Sequence, residues 1–349
     1  MRFYTYVAKV GNRIYTREID NKGNRYSGYT NFKPTLYLPA PQDKSDYKSL
    51  DNKPLGSHTF DSIKDCRKFV DSYDGTVNYS ILGNRNYVSQ YITETYPNLQ
   101  WDSTKIKIYN IDIETSIENG FPDIRTANSA ITSITIHNSI EKTYFVFGTG
   151  EYIPDHADKK INYFKCDDEH EMMAVFLDWW KDNIPDIITG WNIQFFDIPY
   201  LCNRISRLLG VDEIQKFSPW GIVKGDTVTQ YGKTHQKYNI LGVSILDYLD
   251  LYRKFTYVNR ESYRLDFIAE VELGEKKHEN PHETFRDWYT NDYQSFVDYN
   301  IQDVELVDAL EDKMKLIELC ITLAYEMKVN FVDVYSPIRL GVFFIYNFL

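Results

Sequence analysis

Two carboxylates spaced two residues apart, Asp112 and Glu114, end a short run over 106–114 that alternates apolar and polar side chains. This alternation, with β-branched residues at the apolar positions, predicts a strand entering a core. Side chains two apart on a strand point to the same face, so both carboxylates can converge on one point. Converging carboxylate oxygens are the ligands that Mg²⁺ and Mn²⁺ prefer, so the pair can form part of a metal site. The alternative interpretation of the two acids is a solvated turn at a strand end.

Three further residues have chemistry and spacing that suit a site. Asp197 follows a Gly-Trp-Asn loop and precedes a predicted helix over 201–209, so it can cap that helix or hold an ion above a sheet. Tyr299 and Asp303 are four residues apart in a predicted helix over about 291–312, which puts them on one helical face. A hydrogen-bonded pair on the protein surface is the alternative for these two.

The elements that must position these residues form an α/β pattern from residue 106 onward. The sequence predicts strands over 106–114, 129–138, 142–148 and 185–190, a helix over 168–180 with acidic residues in its first turn, and a long helix over 305–326. Three successive strands followed by a helix and a strand predict a mixed sheet flanked by helices. We therefore expect an α/β domain over 105–326.

The beginning of the chain has a different pattern. A hairpin turning at Gly11-Asn12, a strand over 34–38 and a helix within 60–74 predict a smaller β-rich domain over 1–104. We expect a returning tail, 327–349, to belong to this domain. No residue in it points to catalysis, so a packing or docking module is the favoured interpretation.

Composition limits the class of protein. With 349 residues and 43% hydrophobic residues, the chain can bury one large core or two ordinary ones. No apolar run approaches the about 20 residues of a membrane span, and the first residues lack a signal-peptide pattern. The net charge of −11 argues against a protein that coats nucleic acid but permits an enzyme that meets phosphate through metal ions. Four scattered cysteines predict buried thiols and a cytoplasmic location: Cys66, Cys166, Cys202 and Cys320.

One region departs from the acidic average. Residues 201–264 contain ten Lys or Arg and six Asp or Glu, an excess of four positive charges. Within it, strand-like arms around Tyr231-Gly232-Lys233 predict a protruding hairpin. A local basic face suits capture of a single strand near a nuclease site, and an ordinary surface hairpin is the alternative.

In chain order the candidates give Asp-x-Glu on a strand, Asn-x₃-Phe-Asp before a helix and Tyr-x₃-Asp on a helix. This order resembles the DEDD 3′–5′ exonucleases, in the branch with a tyrosine. The runs at 188–192, 216–219 and 243–252, with Arg204, are similar to the family B replicative DNA polymerases of T-even-type bacteriophages. The resemblance covers nearly the whole chain, most firmly 106–305, and it implies a ribonuclease H-like exonuclease domain and a host-cytoplasmic, phage-type replication enzyme.

The resemblance also implies roles for individual residues. Two Mg²⁺ or Mn²⁺ ions would be held by Asp112, Glu114, Asp197 and Asp303, with Asp112 between them, while Tyr299 positions the attacking water. Asn192 and Phe121 would lie near the frayed 3′ end of DNA, and Phe196 would also bind DNA. Tyr231 and Lys233 would belong to a strand-separating hairpin, and Lys276 or Lys277 would meet the scissile phosphate. A purely binding protein has no need of four such carboxylates.

The family also carries polymerase motifs, Asp-x-x-Ser-Leu-Tyr-Pro and Tyr-x-Asp-Thr-Asp, which this sequence lacks. We therefore expect a polymerase half, with palm, fingers and thumb, in another chain or a missing region, and a replisome clamp as a further partner. The apolar run over 342–349 suggests contact with such a partner or self-association. Two other functions stay open: a non-catalytic RNA- or protein-binding subunit, and a stand-alone RNA nuclease.

Overall fold

The computed structural model describes residues 2–73, 75–77, 79–117, 120, 122–230, 232–275 and 280–336. The chain forms two compact units, one made of the chain up to Trp101 with the chain from Leu323, the other made of Asp102–Thr322. Some predictions lie outside the described residues: those for Phe121, Tyr231, Lys276, Lys277, the Lys233 side chain and the apolar run 342–349.

The described residues of the first unit up to Trp101 form two small antiparallel sheets and two α-helices. Its first sheet has the order β1-β2-β3 and its second the order β4-β6-β5. The predicted hairpin at Gly11-Asn12 is confirmed, since β1 and β2 pair directly across it. The elements are β1 Arg2–Val10, β2 Arg13–Asp20, β3 Arg25–Thr30, β4 Thr35–Pro39, β5 Tyr47–Lys48, β6 Pro54–Thr59, α1 Ile63–Ser72 and α2 Tyr87–Thr95.

The second unit is built on a six-stranded mixed sheet. Its strands and a separate hairpin are β7 Ile108–Thr115, β8 Ile131–Asn138, β9 Thr143–Gly148, β10 Lys160–Lys165, β11 Ile187–Gly190, β12 Val223–Gln230, β13 Lys233–Ile240 and β14 Ser244–Asp247. The sheet order is β10-β9-β8-β7-β11-β14, with β12 and β13 as the hairpin. β7, β8 and β9 pair antiparallel, and the remaining neighbours in the sheet pair parallel. The predicted mixed α/β sheet is thus confirmed.

The described helices from residue 102 onward are α3 Glu169–Asn183, α4 Asp197–Leu208, α5 Tyr248–Phe255, α6 Leu265–Leu273, α7 Phe285–Asn291, α8 Tyr293–Met314 and α9 Leu316–Glu326. Two predicted helices differ from these. α4 begins at Asp197 rather than at 201, because Pro199 fits a first helical turn, where its missing N–H costs nothing. The predicted long helix over 305–326 is wrong, since Lys315 adopts a left-handed conformation with φ of 55° and ends α8.

Strand alternation gives β7 two chemically different faces. Tyr109, Ile111 and Ile113 enter the main core together with side chains of α3 and α4. The intervening residues lie on the face that α8 covers, where Asn110 donates through Nδ2 to the backbone oxygen of Val304, 2.7 Å away. β7 is therefore the strand that carries polar chemistry on one face and core packing on the other.

Two predictions from composition can be compared directly with the fold. The four cysteines are buried free thiols, as predicted. Within the described ranges, no helix combines the length and the hydrophobicity that a membrane span requires.

Candidate active site

Three carboxylates meet where β7 and α8 cross. One oxygen from each of Asp112, Glu114 and Asp303 lies within 4.8 Å of the other two. Asp112 and Glu114 are half-buried on β7, and Asp303 is buried in the middle of α8. Like charges this close repel one another unless a cation lies among them. A set made only of carboxylate oxygens is chemically suited to Mg²⁺ or Mn²⁺.

The pairing of β7 with β8 shifts in register next to this cluster. Asp112 lies opposite Thr135 and Glu114 opposite Ser133, but Thr115 lies opposite Ile131, so β8 has one extra residue there. Such a bulge bends the strands and changes the direction of the side chains beside it. Here it lies directly beyond Glu114, at the end of the strand that carries the acids.

Asp197 approaches the same strand from α4. Helix α4 begins at Asp197, the cap position is Phe196 without a side-chain hydrogen bond, and capping by Asp197 is therefore wrong. Its Oδ1 instead accepts a hydrogen bond from the backbone N–H of Ile113, at 3.2 Å. Burial, with the nearby charges of Asp247 and Asp303, raises the pKa of Asp197 to about 7. Asp197 adjoins the three clustered carboxylates but is not one of the set within 4.8 Å.

Tyr299 lies one helical turn before Asp303 and is half-buried. Its ring packs against Trp288 of α7, with 4.7 Å between the ring centroids, and lies 6.4 Å from Phe285. Because Asp303 is buried, the alternative of a surface pair is wrong. The short helix α7 therefore supports Tyr299 next to the acidic cluster.

The loop between β11 and α4 is held close to β7 and β14. A Cβ on Gly190 would lie 2.4 Å from the backbone oxygen of Ile111, so only glycine permits this approach. Asn192 has a φ of 63°, in the left-handed region. The buried carboxylate of Asp247 accepts the backbone N–H groups of Asn192 at 3.1 Å and Gln194 at 2.8 Å. This places Asn192 at the rim of the site in a defined backbone conformation.

A cleft of about 730 Å³ opens beside Glu114. Two of the predicted DNA-binding residues, Asn192 and Phe196, line it. Its walls include further aromatic rings, among them Trp191 and Phe285. Apolar and aromatic walls with a few polar groups are typical of a site for a base or nucleotide.

Sequence reasoning missed three residues here. Arg253 and Arg264 line the cleft and bring two permanent cations to it; only the general basic excess of 201–264 hinted at them. Asn300 is fully buried, and its Nδ2 donates to Oδ2 of Asp112 at 2.6 Å. A signal for Asn300 was present, because it falls on the same helical face as buried Phe296 and Val304.

The hairpin predicted around residue 231 is confirmed by the antiparallel pairing of β12 and β13. β13 of this hairpin contacts α4, where the hydroxyl of Tyr238 donates to Oδ1 of Asn203 at 2.5 Å. The hairpin is therefore attached to the helix that begins with Asp197.

Similarity to known proteins extends over nearly the whole chain. The family model described as DNA polymerase family B, exonuclease domain, matches residues 75–268. The chain is similar to the DNA-directed DNA polymerase of Escherichia phage RB69, 30% identical over 99% of this chain and 41% of that protein. It is also similar to the DNA-directed DNA polymerase of Enterobacteria phage T4, 31% identical over 99% of this chain and 41% of that protein. A DNA polymerase catalytic subunit of Psittacid herpesvirus 1 is 28% identical over 51% of this chain and 17% of its own length. The chain thus spans about two fifths of the phage relatives.

Proposed function

The chain belongs to DNA polymerase family B through its exonuclease domain, and on that basis we propose that it removes nucleotides from 3′ ends of DNA by two-metal hydrolysis, as a proofreading activity. The observation that carries this proposal is the cluster of Asp112, Glu114 and Asp303 at the edge of a nucleotide-sized cleft. A binding module has no use for three mutually repelling carboxylates at that position.

Asp112, Glu114, Asp197 and Asp303 would hold two Mg²⁺ or Mn²⁺ ions. Such ions activate a water, orient the scissile phosphate and stabilise the leaving 3′ oxygen. The protein supplies the geometry, because Asp112 and Glu114 are fixed by β7, while Asp303 and Asp197 are fixed by two different helices. The carboxylates therefore come from rigid elements rather than from loops, which keeps them oriented before the ions bind.

Tyr299 would orient the attacking water through its hydroxyl. A phenol loses its proton only near about pH 10 in water, so it serves better as a hydrogen-bonding group than as a base. The packing of its ring against Trp288 restricts where the hydroxyl can point. Removing the hydroxyl would thus leave the metal ligands in place.

The cleft would receive the frayed 3′-terminal nucleotide. Its aromatic side chains offer stacking faces for a base, with Phe196 and Phe285 as examples. Arg253 and Arg264 would attract the phosphates, a role that the sequence had suggested for Lys276 or Lys277. Asn192 would contact the terminal nucleotide from the rim.

Proofreading, as distinct from hydrolysis itself, requires a polymerase region as partner. The phage relatives are named DNA-directed DNA polymerases, and this chain spans 41% of their length. We propose that synthesis depends on a region outside residues 1–349, in the same polypeptide or a second one. Contact with a replisome clamp stays a prediction.

A second candidate function, binding of single-stranded nucleic acid by the first unit, is favoured by one feature. A cleft of about 460 Å³ beside the β1–β2 turn is lined by four cationic side chains, Lys9, Lys64, Arg67 and Lys68, and by one acidic side chain, Asp71. Clustered cations of this kind bind phosphates with an affinity that falls as salt increases. Loss of RNA or DNA binding in a Lys64→Glu, Lys68→Glu variant, with nuclease activity retained, is the expected result.

A degradation assay tests the main proposal. We expect 5′-labelled single-stranded DNA to shorten stepwise from its 3′ end when Mg²⁺ or Mn²⁺ is present, and mismatched duplex ends to shorten faster than paired ends. The same assay with RNA tests the alternative of an RNA nuclease. Internal cleavage, or no shortening with either metal, would contradict the proposal.

A further inference from the structure

We propose that Asn300 is a positioning residue for the metal site, which fixes both the carboxylate of Asp112 and the distance between β7 and Asp303. This inference rests on the proposed function, since it concerns the same cluster. Asn300 is fully buried in the middle of α8, three residues before Asp303. Its amide lies between the strand acids and the helix that carries the third acid.

Three hydrogen bonds define the position of this amide. Nδ2 donates to Oδ2 of Asp112 at 2.6 Å, while Oδ1 accepts the hydroxyls of Ser133 at 2.9 Å and Thr135 at 2.6 Å. Ser133 and Thr135 lie directly opposite Glu114 and Asp112 in the ladder of β7 and β8. The two strands thus present two acids and two hydroxyls side by side, and Asn300 contacts Asp112 and both hydroxyls.

The chemistry permits only one orientation of the Asn300 amide. Its oxygen cannot face an ionised carboxylate oxygen at 2.6 Å, whereas its NH₂ group can donate to it. Hydroxyls both donate and accept, so Ser133 and Thr135 adapt by donating to the amide oxygen. The carboxylate of Asp112 therefore sets the orientation of the amide, and the two hydroxyls hold the amide in place by donating to its oxygen.

This arrangement has two consequences for the site. A hydrogen bond to one oxygen of Asp112 restricts rotation of that carboxylate, as is typical of groups that orient metal ligands from behind. Asn300 and Asp303 are less than one helical turn apart, so the same bond also sets how closely Asp303 approaches β7. Loss of the amide would loosen both acids without removing either.

The chain offers a matched control in Asn110. This buried residue also fastens β7 to α8, donating through Nδ2 to the Val304 oxygen at 2.7 Å and to Oδ1 of Asp308 at 3.0 Å. Neither acceptor belongs to the acidic cluster. Asn300→Ala and Asn110→Ala therefore each remove a buried amide between the same two elements, but only one of them touches Asp112.

The test measures Mn²⁺ binding by electron paramagnetic resonance, with the melting temperature measured in parallel. We expect Asn300→Ala to raise the Mn²⁺ Kd about 10–100-fold, the usual effect of losing such a partner. Asn110→Ala is expected to lower the melting temperature but keep the Kd within about threefold of wild type, since it leaves the cluster intact. Equal changes in the Mn²⁺ Kd for the two variants, or an unchanged Kd for Asn300→Ala, would overturn the inference.

A second variant keeps the test decisive if Asn300→Ala does not fold. Thr135→Val removes one hydroxyl that holds the amide in place and is expected to raise the Mn²⁺ Kd in the same direction, by a smaller factor. If Asn300→Ala does fold, the double variant Asn300→Ala, Thr135→Val is expected to show non-additive effects, because Thr135 acts through Asn300. An unchanged Kd for Thr135→Val, or full additivity, would also overturn the inference.

Asp112→Ala separates failure of this inference from failure of the proposed function. Wild-type protein is expected to bind Mn²⁺ at a site that Asp112→Ala abolishes. If no such binding is found, the proposed function fails and this inference fails with it. If that binding exists and Asn300→Ala retains it unchanged, only the role of Asn300 fails.

Discussion

The carboxylate of Asp197 accepts a hydrogen bond from the backbone N–H of Ile113, 3.2 Å from its Oδ1. Ile113 lies between Asp112 and Glu114, so the first turn of α4 is attached to β7 between the two acids. β11 pairs with β7 only as far as Asn110, and Asp197 supplies an acceptor beyond the end of that ladder. The fourth acid of the proposed site is thereby held against the strand that carries the first two.

The raised pKa of Asp197 predicts opposite effects of pH on stability and on metal binding. Without metal, the folded protein keeps the Asp197 proton up to about pH 7, whereas the unfolded chain loses it near 3.8. The folded state therefore binds more protons in this range, and metal-free stability falls as the pH rises from about 4 to 7. A divalent ion needs the ionised carboxylate, so metal affinity rises over the same interval.

Melting temperatures in EDTA and in Mn²⁺ across this pH range check the prediction. Asp197→Asn has no carboxyl proton to lose, and we expect it to make the decline in EDTA less steep. Part of the decline remains, because burial also raises the pKa of Asp247 to about 7. A decline of the same steepness in wild type and Asp197→Asn would show that Asp197 does not cause it.

Tyr299→Phe is predicted to reduce exonuclease activity less than Asp303→Ala does. The phenylalanine keeps the ring packing against Trp288 and removes only a hydroxyl. We expect kcat to fall about 10–100-fold, the effect of one hydrogen bond to a charged group, with Mn²⁺ affinity unchanged. Asp303→Ala is expected to reduce both quantities. Single-turnover kinetics with parallel Mn²⁺ titrations make the comparison, and equal losses of kcat would refute the water-orienting role of Tyr299.

Replacing Asn192 by glycine is predicted to destabilise the fold less than replacing it by valine. Its φ of 63° suits glycine, whereas a β-branched side chain is strained there by about 1–2 kcal/mol. We expect Asn192→Val to lower the free energy of unfolding by that amount and Asn192→Gly to change it by less than about 1 kcal/mol. Both variants are expected to raise KM for DNA, because both lose the amide at the cleft rim.

Urea denaturation and exonuclease kinetics separate the two effects. If Asn192→Gly retains both wild-type stability and wild-type KM, the amide takes no part in binding DNA.

Local patterns in the sequence were sufficient to predict much of the fold. The alternation around Asp112 predicted both the strand and its acidic face, because the two-residue period of a strand requires no knowledge of its partners. The hairpins at Gly11 and around residue 231 were predicted from the same local signals. The mixed sheet followed from the order of strands and helices alone.

Features that depend on distant contacts could not be predicted in the same way. Asp197 precedes a helical run, which suggested that it caps the helix. Its side-chain oxygen instead accepts a hydrogen bond from the backbone N–H of Ile113, a residue far away in the chain. Asn300 was a polar residue on an apolar helical face, and only the fold brings it to Asp112. The break at Lys315 gave no signal, because a left-handed lysine has no sequence signature of the kind that glycine provides.

The central claim is that Asp112 and Glu114 serve metal-dependent hydrolysis rather than the fold, and the double variant Asp112→Ala, Glu114→Ala tests it most directly. The measurement is the rate of 3′-end shortening of single-stranded DNA in Mg²⁺, with melting temperature and single-strand binding measured on the same samples. We predict loss of at least about 10³-fold in rate, because the ions lose two ligands, while folding and binding stay close to wild type. A rate within a few-fold of wild type, in a folded variant, would contradict the claim.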